Sequence, residues 1–435
     1  MSITGGWDGI WMLLGVLVLL LALGVRVAYV LLAVGVIGTT WVLDPAQSLA
    51  TGKEMWGSIR SYSLTAIPMF VFMAEILLRT DITKQAYKGL AALLAALPGG
   101  AAYASITGST IFAAISGSSV ANAACLGVVA GPAMVDLGYS RRLTFGTIAA
   151  GGTLGILIPP STAMIIYGGL TGVSVGKLFL GGIVPGIIGA LLFAVVVLIW
   201  SLLKPADAPR SRNSSRDDLI EGAIALLPLL LLIGVVLGGI YLGIFTPTEA
   251  GGLGVAGAIV VAAFWKKLSF RMLWEAAEAT TSLTCMILLI IAGAGGVTYI
   301  LGMTSLAAAL TSWIVDMGLS VTTLLVVVAI IYIVLGCFVE SVSLIVLTIP
   351  VIYPIMVNMG VNGVWFGIYT VILIEIGLIT PPVGLNLFVL ERIPAGQTFM
   401  DIAIGSFPFV IALCILLGLI VVFPPIVTWL PLAGC

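Results

Sequence analysis

The sequence contains no histidine. That removes the side chain most used for acid–base chemistry near neutral pH, for zinc ligation and for proton relays. A Ser–His–Asp triad and an HExxH metal site go with it. Charge is almost as scarce: 8% of the 435 residues are Asp, Glu, Lys or Arg, against about 25% in soluble domains. A chain this poor in charge cannot clothe a water-facing surface. An ordinary soluble enzyme, a nucleic-acid binder and a disordered protein are therefore excluded. The net charge of −1 exerts no pull on nucleic acid. Five cysteines lie scattered without a CxxC pair, so neither a disulfide framework nor a metal site is indicated. No phosphate-binding GxxxxGK loop is present, so ATP hydrolysis by this chain is not expected. The opening MSITGGWDGI lacks the basic region of a cleaved signal peptide, and the first apolar run is expected to stay as a transmembrane helix.

What the sequence has is apolar length. Hydrophobic residues make up 61% of it, and the mean hydropathy is +1.27. This is an all-α polytopic membrane protein lying in a lipid bilayer. Spans of about 20 residues are expected near 7–24, 27–43, 56–79, 177–203, 219–243, 250–266, 274–302 and 398–430. Amphipathic pieces fall at 80–97 and 304–317. Four apolar runs are interrupted: 99–137, 142–172, 320–360 and 364–392. The one convincing hydrophilic linker is 204–218, KPADAPRSRNSSRDD, which separates a first half (1–203) from a second (219–435).

The halves repeat. A shift of 222 places Gly155, Pro159 and Pro160 on Gly377, Pro381 and Pro382. The same shift places Pro132–Gly138 on Pro354–Gly360. We read 99–137 and 320–360 as re-entrant hairpins, and 142–172 and 364–392 as broken transmembrane helices. Each half then crosses the membrane an odd number of times, so the second must be inverted. With the N-terminus outside, all of the 17 basic residues except Lys53, Arg60 and Lys177 fall inside, as the positive-inside rule requires.

In hydrocarbon a helix is broken only where protein or water takes over its backbone hydrogen bonds. Paired breaks at matching places in two halves point to a midplane site in an inverted-repeat secondary transporter. Ser116, Gly117, Ser118 and Ser119 with Gly155 and Pro159 form one expected cation site. Gly336, Glu340 and Ser341 with Gly377, Thr380 and Pro381 form the other. Freed carbonyls and neutral hydroxyls suit a hard cation such as sodium, the coupling ion expected here in place of any organic cofactor. Asn122, Ser161, Thr162, Ser343 and Asn386 are the candidates for solute contact. Small-residue clusters of this kind also serve close helix packing. Glu75, Glu340 and Glu375 are the acids well inside the expected spans and are functional candidates by default. Asp8, Asp44, Asp316 and Asp401 read as interfacial, solvated groups.

The segments ISGSSVANAACLGVVAGPAMVDLGYSRR (115–142), GGTLGILIPPSTAMIIYGGLTGVSVGKLFLGGIVPG (151–186), GIFTPTEAGG (243–252) and ITPPVGLNLFVL (379–390) resemble the large membrane subunit of tripartite ATP-independent periplasmic (TRAP) transporters. The resemblance implies an elevator: a scaffold and a mobile domain that carries the two hairpins. It implies sodium-driven uptake of a carboxylated solute across the bacterial inner membrane, with both termini periplasmic. The solute could be a C4-dicarboxylate, a sialic acid, another sugar acid or a keto acid. The implied partners are a periplasmic substrate-binding protein and a small four-helix membrane subunit, here expected as a separate chain. The cation sites it implies map onto Ser116–Asn122, Gly155–Thr162, Gly336–Ser343 and Gly377–Asn386. A stand-alone sodium–carboxylate transporter or ion exchanger of similar inverted-repeat fold is the alternative.

Overall fold

The computed structural model describes residues 7–43, 48–80, 82–209, 216–304, 312 and 317–433. Asp44, Asp316, the linker core 210–215 and most of the amphipathic piece 304–317 lie outside the described residues, as does the side chain of Asp8. Among the described residues every regular element is helical: α1 (Trp7–Ala22), α2 (Val27–Trp41), α3 (Ser48–Ile59), α4 (Ala66–Leu78), α5 (Ile82–Leu93), α6 (Gly100–Ser116), α7 (Ser119–Asp136), α8 (Arg141–Leu157), α9 (Thr162–Thr171), α10 (Val175–Leu203), α11 (Arg216–Tyr241), α12 (Pro247–Phe264), α13 (Phe270–Met303), α14 (Val321–Gly336), α15 (Ser341–Asn358), α16 (Gly363–Leu378), α17 (Leu385–Glu391), α18 (Phe399–Val422) and α19 (Pro425–Ala433). Eight helices among these residues are long and apolar enough to cross a membrane, or nine if the bent pair α3–α4 counts as one span.

Two expected spans differ from the sequence reading. The run 56–79 is not one straight helix. It is bent by 50° between α3 and the segment that starts at Tyr62, through the 3-10 turn Tyr62–Thr65. The run 398–430 ends its long helix at Val422 and resumes at Pro425. Pro424 disfavours helical backbone at Phe423, which leaves the helical region at φ −124°, ψ 73°.

The helix starts follow capping chemistry. Ser118, Ser140, Ser161, Ser174, Ser269 and Ser320 each accept a backbone N–H in the first turn of the helix they precede. Thr246 with Glu249 and Thr398 with Asp401 form full capping boxes. Asp401 also pairs with Arg142 at 3.2 Å, so it is tied between two helices rather than simply solvated.

The helices pack in two groups. An outer group joins α2, α3 and α4 to α13, and α5 and α4 to α11 and α12. The Ser58 hydroxyl donates to Ile291 O at 3.3 Å, and Trp265 Nε1 to Gln85 Oε1 at 2.8 Å. An inner group centres on α8 and α16, whose residues are buried almost without interruption. Around them stand α6, α7, α14, α17 and α18. Tyr369 donates to Leu325 O at 2.8 Å and Trp365 Nε1 to Ile420 O at 3.0 Å, which fixes α16 against its neighbours. The linker is anchored to this group: Ser140 N donates to Asp207 O at 3.0 Å.

Element boundaries recur along the chain. α7 and α15 begin and end 222 residues apart, and α6 and α14, α8 and α16, α9 and α17 do so within a few residues.

Candidate functional site

The first hairpin turns at Gly117, which takes a left-handed backbone (φ +57°) that costs glycine little. Its carbonyl accepts the Thr162 hydroxyl at 2.8 Å and the Thr162 N–H at 3.4 Å. The turn between α6 and α7 is thereby strapped to the start of α9, just beyond the break at Pro159-Pro160. On the other side of the turn lies Gly155 in α8. A Cβ there would stand 2.8 Å from Ser118 O and 3.1 Å from Ser119 Cα. Only glycine lets the turn seat so close to the end of α8. Ser116, Gly117, Ser118, Ser119, Gly155, Pro160 and Thr162 are therefore assembled in one place. Of Pro159 the structure records its cis bond to Pro160. Ser161 caps α9, accepting Met164 N at 3.4 Å.

The second junction is built alike from different residues. Gly336, at the end of α14, faces Gly377 in α16: a Cβ on Gly377 would stand 2.7 Å from Gly336 Cα. The strap here is Gly384 N to Cys337 O at 2.9 Å. Thr380 turns its hydroxyl back to Ile376 O. Pro381-Pro382, like Pro159-Pro160, is cis. Glu340 stands at the start of α15 and acts as its cap. Its carboxylate accepts Val342 N at 3.0 Å, Ser343 N at 3.4 Å and the Ser341 hydroxyl at 2.7 Å. The free N–H groups of that helix end thus already hold one negative charge.

At the first junction, two side chains of the second half meet the hairpin of the first. Asn386, expected beside the second break, reaches the first junction: its Nδ2 donates to Ser119 Oγ at 3.1 Å and to Ala149 O at 3.3 Å. Ser119 Oγ lies 2.9 Å from Glu375 Oε2 and 3.0 Å from Gly152 O. Glu375 lies outside the two cation sites expected from the sequence, yet it meets the first hairpin directly. The signal for it was a lone carboxylate in an otherwise apolar span. Asn122 donates from Nδ2 to Ser109 O at 3.0 Å, tying α7 to α6. Ser343 lies at the start of α15 and is buried. Glu75 sits elsewhere, paired with Arg79 in the outer group and partly exposed.

Among the described residues no ion pair brings a lysine or arginine to either junction. Carbonyls and hydroxyls predominate at both, with Glu375 and Asn386 beside the first and Glu340 and the Cys337 thiol beside the second, a set whose oxygens suit a hard cation. A cavity of about 800 Å³ between α10 and α18 reaches from Lys204 to Pro381; apart from Lys204 and Trp200 at one end its lining is apolar.

Comparison with known proteins gives one family. The description "Tripartite ATP-independent periplasmic transporter, DctM component" matches residues 14–426. The C4-dicarboxylate TRAP transporter large permease protein DctM of Pseudomonas aeruginosa is 34% identical over 392 residues, 89% of this chain and 90% of that protein. The 2,3-diketo-L-gulonate TRAP transporter large permease protein YiaN of Escherichia coli is 30% identical over 414 residues, 94% of this chain and 95% of that one. Among solved structures, the Alcanivorax borkumensis YdaH transporter superposes with a TM-score of 0.61 at 16% identity, covering 96% of this chain and 98% of its own, a likeness of fold.

Proposed function

The chain belongs to the DctM component family of tripartite ATP-independent periplasmic transporters, the large membrane subunit, and from that premise we propose that it imports a carboxylated small solute across the bacterial inner membrane, driven by sodium. The carboxylate class follows its relatives, which are C4-dicarboxylate and diketogulonate permeases. The partners are a substrate-binding protein outside and a small membrane subunit.

The observation that carries the mechanism is the pair of hairpin–break junctions. Both are closed by a glycine contact and a carbonyl strap, 222 residues apart at Gly155 and Gly377 and at Thr162 and Gly384. We read the halves 1–203 and 219–435 as inverted repeats joined by a cytoplasmic linker at 204–218, both termini outside. Sodium binds at Ser116–Ser119 with Gly155 and Pro159, and at Gly336, Glu340 and Ser341 with Gly377, Thr380 and Pro381. Carbonyls at the turns replace its water at about 2.4 Å. Solute contact falls to Asn122, Ser161, Thr162, Ser343 and Asn386. All five are buried in this conformation, so hairpin and break must part as solute binds. The inner helix group carries both junctions and moves as an elevator against the outer group.

Reconstitution tests this. The chain is placed in liposomes with a small membrane subunit and candidate binding proteins, and labelled dicarboxylates, sialic acids, sugar acids and keto acids are scanned with and without an inward sodium gradient. Uptake that needs all three components and the gradient is the expected result. Robust uptake by the chain alone favours a stand-alone transporter, and uptake indifferent to sodium refutes the coupling.

A further inference from the structure

Glu375 is completely buried in α16, itself buried along nearly its whole length. Among the described residues no lysine or arginine forms an ion pair with it. Its one hydrogen-bond partner is Ser119 Oγ at Oε2, and Oε1 has none. Asn386, fully buried on the far side of the same hydroxyl, has its Oδ1 likewise without a partner. Asn386 Nδ2, Ser119 Oγ and Glu375 Oε2 form a chain of hydrogen bonds that leaves an oxygen free at each end. Gly152 O adjoins it, 3.0 Å from Ser119 Oγ. An isolated negative charge inside a membrane protein is costly unless a counter-charge accompanies it. The surroundings supply none: Glu375 receives one neutral donor, the Ser119 hydroxyl, and the oxygens Asn386 Oδ1 and Gly152 O lie beside that hydroxyl.

We infer that Glu375 and Asn386 form a further cation position between the halves, adjoining the first hairpin–break junction and sharing its Ser119 hydroxyl. The inference rests on the sodium-coupled reading above. Glu375 contributes the single formal charge, Asn386 Oδ1 and Ser119 Oγ contribute neutral oxygens, and Gly152 O stands next to them. The donor set is oxygen only with one carboxylate, which suits a monovalent hard cation better than a divalent one, since divalent sites gather more carboxylates. The location has a mechanical consequence. Ser119 opens α7 of the first hairpin, while Glu375 and Asn386 flank the break of the second half. An ion held here ties the two halves of the inner group together, and its occupancy is felt at both junctions.

The experiment uses the full complex of large subunit, small subunit and binding protein. Sodium replaces choline at constant ionic strength. The readouts are uptake in liposomes, the sodium-to-solute flux ratio, and sodium-dependent thermal stabilisation of the purified membrane complex, which reports folding and binding together. Glu375→Gln keeps the shape and an acceptor for Ser119 but removes the charge. It is expected to lose one sodium from the flux ratio and to lower the Hill coefficient for sodium by about one. Glu375→Asp keeps the charge and is expected to keep the ion count, with half-saturation raised about tenfold by the shorter reach. Should Glu375→Gln fail to accumulate as folded complex, Asn386→Ala decides by the same readouts, with weakened sodium stabilisation expected. A wild-type sodium ratio and Hill coefficient in folded Glu375→Gln overturn the inference and leave a carboxyl that is neutral and structural. Sodium-independent uptake by the wild type overturns the sodium-coupled reading itself, a different result from the first.

Discussion

Gly155→Ala adds one methyl group at the seat of the first hairpin turn. The new Cβ would stand 2.8 Å from Ser118 O, 3.0 Å from Ser118 C and 3.1 Å from Ser119 Cα. All three neighbours are backbone, so no side chain can swing aside. Ordinary contact begins at 3.4 Å, and the turn must retreat by about 0.6 Å. Overpacking of this kind costs about 1–3 kcal/mol. If the cost falls on the closed, sodium-holding arrangement, sodium affinity drops about 5- to 150-fold. A carbonyl held at about 2.4 Å from an ion tolerates such a shift poorly, so the upper half of that range is expected. The assay is the sodium dependence of uptake in liposomes with the partner proteins present. Gly238→Ala is the control: it is a helical glycine of α11 with open space around it. We expect Gly155→Ala to need far more sodium while it accumulates and inserts as the wild type does, and Gly155→Val to stay inactive at any sodium concentration. A sodium curve for Gly155→Ala that superposes on that of Gly238→Ala refutes the placement of a cation at this junction and leaves the glycine as a packing residue.

Ser119→Ala removes the hydroxyl shared by Glu375, Gly152 and Asn386; we expect the sodium requirement to rise about 3- to 30-fold, as for about 1–2 kcal/mol of lost contact, with the maximal rate recovered at high sodium. Glu340→Ala uncaps α15 and is expected to lower stability by about 0.5–2 kcal/mol, seen as a lower thermal midpoint of the purified complex; an unchanged midpoint refutes the capping role. Glu75→Gln breaks a partly exposed pair with Arg79, worth about 0–1 kcal/mol, and uptake should stay within about twofold of wild type. In a background without native cysteines, a cysteine at Ser214 should be labelled only from the cytoplasm and one at Asn358 only from outside. Labelling of both from one side sinks the inverted repeat.

The sequence by itself determined that this chain lives in a membrane, because 8% charge cannot cover a soluble surface. It also determined where the helices stop. Proline lacks an N–H and restricts its predecessor, so Pro159-Pro160 and Pro381-Pro382 mark breaks from their neighbours alone. The serine caps at 118, 140 and 161 act within three residues and are equally local. The family was legible too, since its motifs are contiguous. The bend between α3 and α4 was not, because the polar stretch Arg60-Ser61-Tyr62-Ser63 that marks it holds no proline and does not by itself distinguish a bend from a helix continuing at the interface. Nor was the company each polar residue keeps. The sequence placed Glu340 at the second hairpin tip but did not show that its carboxylate also caps the helix it opens. The repeat also pairs residues within a half, yet Ser119 meets Glu375 and Asn386, 256 and 267 positions away. Helix period and backbone restriction propagate along the chain and can be read there. Which buried oxygens meet depends on how α7, α8, α16 and α17 cross, and that is settled by packing of side chains far apart in sequence.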